Sequence, residues 1–88
     1  MHLIKDHILR KVHRNTVLVP PPDRDIGFNG MIVLNHTGEF VCKMLREDTD
    51  RDKLAAALAQ EYEVDPKQAE ADLDVFLSEL GSCNMLEE

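Results

Sequence analysis

The side chains able to do chemistry are few in this sequence, and their spacing does not organise them. Four histidines, His2, His7, His13 and His36, offer imidazoles to a metal. No pair has the i, i+4 spacing that sets two ligands on one helix face, and none has a cysteine at ligand spacing. They read as exposed polar residues. Cys42 and Cys83 are far apart and lack the paired spacing of a zinc knuckle or redox motif, so they read as reduced thiols. Two groups of carboxylates, Glu39, Glu47, Asp48 and Asp50, then Glu70, Asp72 and Asp74, could be cast as an acid and a base. Such groups need a concave, desolvated setting to shift their pKa values. With no Trp, one Tyr, three Phe and no glycine-rich phosphate loop, nothing announces that setting, and the carboxylates read as solvated helix faces. Without a nucleophile–base pair or a ligand set, no enzyme activity and no cofactor are expected.

Binding is better served than catalysis. Ala69, Leu73, Phe76, Leu77 and Leu80 recur at spacings of three and four, the core-facing stripe of an amphipathic helix. Gln68, Asp72, Val75 and Glu79 follow the same spacing on the adjoining face. That mixed stripe is neither core nor simply solvated, and it suits one wall of a groove. The other wall could be the strand at Met31, Ile32, Val33 and Leu34. An edge strand exposes unpaired N–H and C=O groups, which an extended peptide completes by strand addition.

The elements that must position these walls follow from period and punctuation. Residues 8–12 and 16–19 are β-branched-rich runs separated by His13-Arg14-Asn15, which reads as a hairpin. Pro20, Pro21 and Pro22 remove backbone donors and end the second strand, leaving residues 23–27 as a loop before the Asn29-Gly30 turn. The third strand covers 31–34. From Asn35, a good N-cap, the period lengthens, and Phe40, Val41, Met44 and Leu45 share a helix face that ends near Arg46. Thr49 with Asp52 makes a weakened capping box for a second helix over 50–62. Asp65, Pro66 and Gln68 start a third helix over 66–80, and Gly81 is the expected left-handed cap. Three antiparallel strands followed by three helices make an α+β domain. The Glu63-Val64-Asp65 turn has helix-turn-helix length, so the arrangement is winged-helix-like.

At 88 residues the chain has room for one domain, expected to span 1–88. No apolar run approaches the roughly 18 residues of a membrane span. The stretch Met1-His2-Leu3-Ile4-Lys5-Asp6-His7 lacks the apolar block of a secretory signal, so a cytoplasmic location and no membrane partner are expected. A winged-helix DNA-binding regulator is the rival reading. Its third helix would carry Glu70, Asp72, Asp74 and Glu79 against Lys67, on a chain of net charge -7. Phosphate would be repelled, and Arg10, Lys11 and Arg14 form too small a patch on the hairpin to offset it. A cationic partner fits better than nucleic acid.

The stretches Phe28-Asn29-Gly30-Met31-Ile32-Val33-Leu34-Asn35-His36-Thr37-Gly38 and Asp65 with Ala71-Asp72-Leu73-x-x-Phe76-Leu77-x-x-Leu80 resemble the PqqD-like family of small peptide-binding domains. The resemblance runs from the 8–19 hairpin to Met85-Leu86. It implies a non-catalytic adaptor that holds the leader of a ribosomally made precursor peptide and presents it to a modifying partner, often a radical S-adenosylmethionine enzyme. By position it implies Met31, Ile32, Val33 and Leu34 on one wall and Asp72, Val75, Phe76 and Glu79 on the other. Where many relatives have an Ile-Trp pair in the first helix, this chain has Val41-Cys42, and Met44 and Met85 are expected to fill the volume. Exposed edges and the proline-rich stretch leave both a monomer and a strand-exchanged dimer open.

Overall fold

In the computed structural model of the chain, residues 1–21 and 30–87 are described. In chain order they form β1 (His2–Leu3), β2 (Ile8–Val12), β3 (Asn15–Val19), β4 (Ile32–Leu34), α1 (His36–Met44), α2 (Arg51–Tyr62), α3 (Pro66–Ser82) and β5 (Leu86–Glu87). The three-stranded antiparallel sheet runs in the order β2-β3-β4, ahead of three helices, as an α+β fold. The loop expected over 23–27, Pro22 and the Asn29 half of the Asn29-Gly30 turn lie outside the described residues.

His13 and Arg14 close a two-residue hairpin in which Val12 faces Asn15. His13 has φ 58°, the positive value that lets so short a turn match the twist of its strands. β3 is central, and Thr16, Val17 and Leu18 are buried accordingly. It stops at Val19, because Pro20 and Pro21 have no N–H to continue a ladder. β4 pairs with β3 through Leu18–Ile32, Val17–Val33 and Thr16–Leu34.

Each helix starts on a side-chain cap. Asn35 accepts from the Gly38 N–H, Asp50 from the Lys53 N–H and Asp65 from the Lys67 N–H, all at 2.8 Å. The second of these corrects the sequence reading, since Asp50 rather than Thr49 caps α2. Gln68 also departs from its expected box and donates forward to Asp72 at 2.9 Å. α1 ends at Met44, two residues short of the expected end.

The end of α3 is a further correction. Gly81 lies inside the helix, which runs to Ser82, and the left-handed residue is Asn84 at φ 58°. The Met85 N–H donates to the Leu80 carbonyl at 3.0 Å and the Asn84 N–H to the Gly81 carbonyl at 3.1 Å, the paired bonds of a Schellman turn. Leu80 and Met85, on either side of that turn, are both fully buried. The cap sits where burying them requires it, so packing overrode the glycine signal.

The core joins Leu18 and Leu34 of the sheet to Val41, Cys42, Leu45, Leu54, Leu58, Leu73, Leu80 and Met85. Burying each large side chain contributes about 1.5–3 kcal/mol, more than the roughly 1 kcal/mol of a single cap, so the core decides how the helices sit. Met85 is fully buried in this core, and Met44 is half-buried against it. A second, two-stranded sheet went unread in the sequence: β1 pairs with β5, Leu3 N–H donates to the Leu45 carbonyl and Ile4 N–H to that of Met85, each at 2.9 Å. Strands of two residues carry no alternation to detect.

Polar clamps align the elements. Arg51 grips Asp74 with two parallel bonds, Nε to Oδ1 at 2.6 Å and Nη2 to Oδ2 at 2.8 Å, tying α2 to α3. Glu39 on α1 accepts from Thr16 of β3 at 3.0 Å and meets Lys43 at 3.1 Å. The bond from Lys43, then that from Thr16, holds the Glu39 carboxyl below its ordinary value, and the Arg51 bond does the same for Asp74. A depressed folded-state pKa favours the ionised form on folding, so this stabilisation is present above the ordinary carboxylate value of about 4 and is lost as pH falls through the lowered values. Thermal melts followed by circular dichroism should therefore show a falling Tm below about pH 4. Arg51→Gln should lower the Tm at pH 7 and weaken its decline in acid, whereas an acid profile identical to wild type would separate Asp74 from Arg51.

Candidate functional site

The site grows from the junction of β4 and α1. Asn35 leaves the strand in extended conformation and turns its side chain back onto the Gly38 N–H. Gly38 is buried, and a Cβ there would sit 3.2 Å from Asn35 Oδ1 and 3.2 Å from Phe76 Cε1. A side chain there would press on both, so the glycine lets the Phe76 ring of α3 lie close against the first turn of α1 and its capping oxygen. At the same place, Tyr62 Oη donates to the His36 carbonyl at 3.0 Å, and the Tyr62 ring meets Phe40 edge-on at 5.8 Å between centroids. The start of α1 is thereby fixed to the end of α2 as well as to α3.

Beside this contact opens a cavity of about 370 Å³, lined by Asn35, Thr37, Gly38 and Val41 of the β4–α1 segment, Leu58 of α2, and Asp72, Leu73, Val75, Phe76 and Glu79 of α3. A cleft of about 210 Å³, lined by Thr37, Leu58, Tyr62, Val64, Ala69 and Asp72, shares Thr37, Leu58 and Asp72 with it and extends the depression toward the start of α3. From Ala69 to Glu79, α3 rises about 15 Å. That length matches roughly four to five residues of extended peptide.

The depression is apolar ground with acidic side chains. Gly38, Val41, Leu58, Leu73 and Phe76 supply apolar surface, while Asp72 and Glu79 are the charged residues of the cavity and both are acidic. Asp72 is partly engaged, since Gln68 Nε2 donates to its Oδ1 at 2.9 Å. Val75 is 63% exposed at the cavity, a large apolar side chain left to solvent. Cys42 lies in the core with its thiol pushed up to about 12 by burial, which keeps it un-ionised and unreactive. Among the described residues, no group of three His, Cys, Asp or Glu side chains is placed to hold a metal ion, and no helix is long and apolar enough to cross a membrane.

The structure brings Asp72, Val75, Phe76 and Glu79 together in one cavity. Met31, Ile32, Val33 and Leu34 do not line it; Ile32, Val33 and Leu34 form the strand that leads into it, and Met31, expected as its first residue, precedes the strand without joining its ladder. Leu34 is buried, Ile32 is half-buried against the core, and Met31 and Val33 are 58% and 63% exposed. β4 is the last strand of its sheet, so among the described residues its outer edge has no partner strand. The cavity residues missed from the sequence are Asn35, Thr37, Gly38, Val41, Leu58 and Leu73. Asn35 did stand out, but as a helix cap, and Asn35-His36-Thr37-Gly38 only as part of the family resemblance.

No curated protein matches the sequence. Two solved structures share the fold. TbiB1 in complex with the TbiA(beta) leader peptide superimposes with a TM-score of 0.77 at 23% identity, over 99% of this chain and 95% of that one. A lasso peptide synthetase B1 complexed with its leader peptide gives a TM-score of 0.74 at 21% identity, over 99% and 96%. The family described as coenzyme PQQ synthesis protein D matches residues 15–86, which include β3, β4, all three helices and every residue lining the groove, and the chain belongs to this PqqD family.

Proposed function

We propose that this protein is a non-catalytic adaptor that binds the leader segment of a ribosomally made precursor peptide and presents it to a modifying enzyme. The observation that carries this reading is the apolar, acid-lined groove between α1 and α3, beside a strand edge that has no partner strand among the described residues. The leader adds as a strand to the outer edge of β4, taking up the backbone groups at Met31, Ile32, Val33 and Leu34, and lays its side chains toward Asp72, Val75, Phe76 and Glu79 of α3. Backbone pairing supplies affinity and the groove supplies selectivity. The two structures of similar fold are complexes with a leader peptide, which supports leader binding here. The receiving partner is a radical S-adenosylmethionine enzyme in this reading, which follows from the family resemblance. By holding the leader, the adaptor raises the effective concentration of the peptide beside that enzyme. Exposed Asp72, Asp74 and Glu79 on α3 make it a poor DNA recognition helix.

Three measurements test the reading, each with the cognate precursor leader. N-methylating alternate amides of the leader removes backbone donors but keeps side chains, and should weaken binding in calorimetric titration. Equal affinity would place the contacts away from the strand edge. Asp72→Asn retains an oxygen for Gln68 and removes the charge, so affinity should fall by about 1 kcal/mol with little change in Tm. Unchanged affinity with lowered Tm would assign Asp72 to the helix alone. Gly38→Ala sets about 1 kcal/mol of helix propensity gained against the 1–3 kcal/mol typical of overpacking, so stability should move by less than about 2 kcal/mol. Leader affinity should nevertheless drop, because the added methyl displaces Phe76 from the groove floor; an undiminished affinity would show that the ring adapts.

A further inference from the structure

The groove leaves a second charged surface unexplained. Arg10, Lys11, Val12, His13 and Arg14 are consecutive and all exposed, so both faces of this end of the β2–β3 hairpin are uncovered. Arg10, Lys11 and Arg14 make no hydrogen bond or ion pair among the described residues, and Lys11 acts on Glu39 only as the weakest influence on that carboxylate. Cations left free in a chain of net charge -7 are notable, because the same chain supplies ample acidic partners. Charge on an edge strand guards it against unwanted strand pairing, which accounts for Arg10 and Lys11 at most; Arg14 lies in the turn, off the ladder, where there is no edge to guard.

We propose that this hairpin end is the docking surface for an acidic face of the enzyme that receives the peptide; this rests on the adaptor reading above. Three observations fit that occupant. β2 lies on the opposite edge of the sheet from β4, two strand spacings or about 10 Å away, so a leader on β4 leaves it free. The two-residue turn holds the cations on a preformed ribbon, with His13 already at its positive φ. Three cations on a chain of net charge -7 suit a local acidic patch, whereas a polyanion would also meet Glu70, Asp72, Asp74 and Glu79 of α3. A second copy brings its own net charge of -7 and is repelled as a whole.

The test compares wild type with the triple variants Arg10→Glu/Lys11→Glu/Arg14→Glu and Arg10→Gln/Lys11→Gln/Arg14→Gln. The probes are the cognate modifying enzyme, its leader peptide, and a short random DNA duplex. Wild type should bind the enzyme with an association rate that falls as salt rises. The Glu variant should associate about tenfold more slowly at low salt, with the Gln variant between, while dissociation rates change little, as expected of exposed steering charges. Leader affinity and Tm should be unchanged in both variants. Equal association rates for all three proteins would overturn the proposal, as would duplex binding tighter than enzyme binding, or a wild-type dimer that the Glu variant abolishes. Failure of wild type to bind the leader would instead defeat the adaptor reading, leaving the hairpin to be judged on the enzyme measurement alone.

Discussion

The approach of α1 to α3 at Gly38 is the constraint on which the site depends. With 3.2 Å between a notional Cβ and both Asn35 Oδ1 and Phe76, the first turn of α1, its cap and the aromatic ring of α3 form one contact. The cap satisfies an orphan N–H and sets the direction in which α1 leaves β4. The ring then rests on the bare backbone of that turn. Where the helices diverge from this contact the cavity opens, so its floor is built by the same packing that joins the elements.

Such a contact needs α3 held firmly at a distance from it. The Schellman turn at Asn84 buries Leu80 with Met85, and the Ile4 N–H bonds to the Met85 carbonyl, drawing in the start of the chain. Nearer the start of α3, the two-bond grip of Arg51 on Asp74 sets its face against α2. With Ala69, Leu73 and Leu80 buried, helical geometry leaves Asp72, Val75 and Glu79 at the surface. Their exposure is a consequence of what α3 buries.

Much of this was legible in the sequence, wherever the cause was local. The caps at Asn35 and Asp65, the proline stop after Val19 and the stripe of Ala69, Leu73 and Leu80 each depend on neighbours within a few residues, and each was readable. Gly81 misled because its backbone freedom marks a helix end only if packing does not move the end elsewhere. Leu80 and Met85 did move it, and Asn, the other residue that tolerates the left-handed region, took the position. The cavity floor was out of reach for a different reason. Gly38 and Phe76 meet across nearly half the chain, and no spacing rule connects a cap motif in one helix to a ring in another.

The charge pattern divides the sheet's two edges as sharply as the packing does. On the β4 side, the cavity presents Asp72 and Glu79 over apolar ground, and on the β2 side the hairpin end presents Arg10, Lys11 and Arg14 to solvent. Charges this close on a small protein attract one another's ligands unless each is matched to its own. A cationic ligand is drawn to the groove and repelled from the hairpin, and an acidic surface meets the reverse. With the ligands proposed for the two surfaces, the same electrostatics would keep each off the other's edge, a use of repulsion as well as attraction to set specificity.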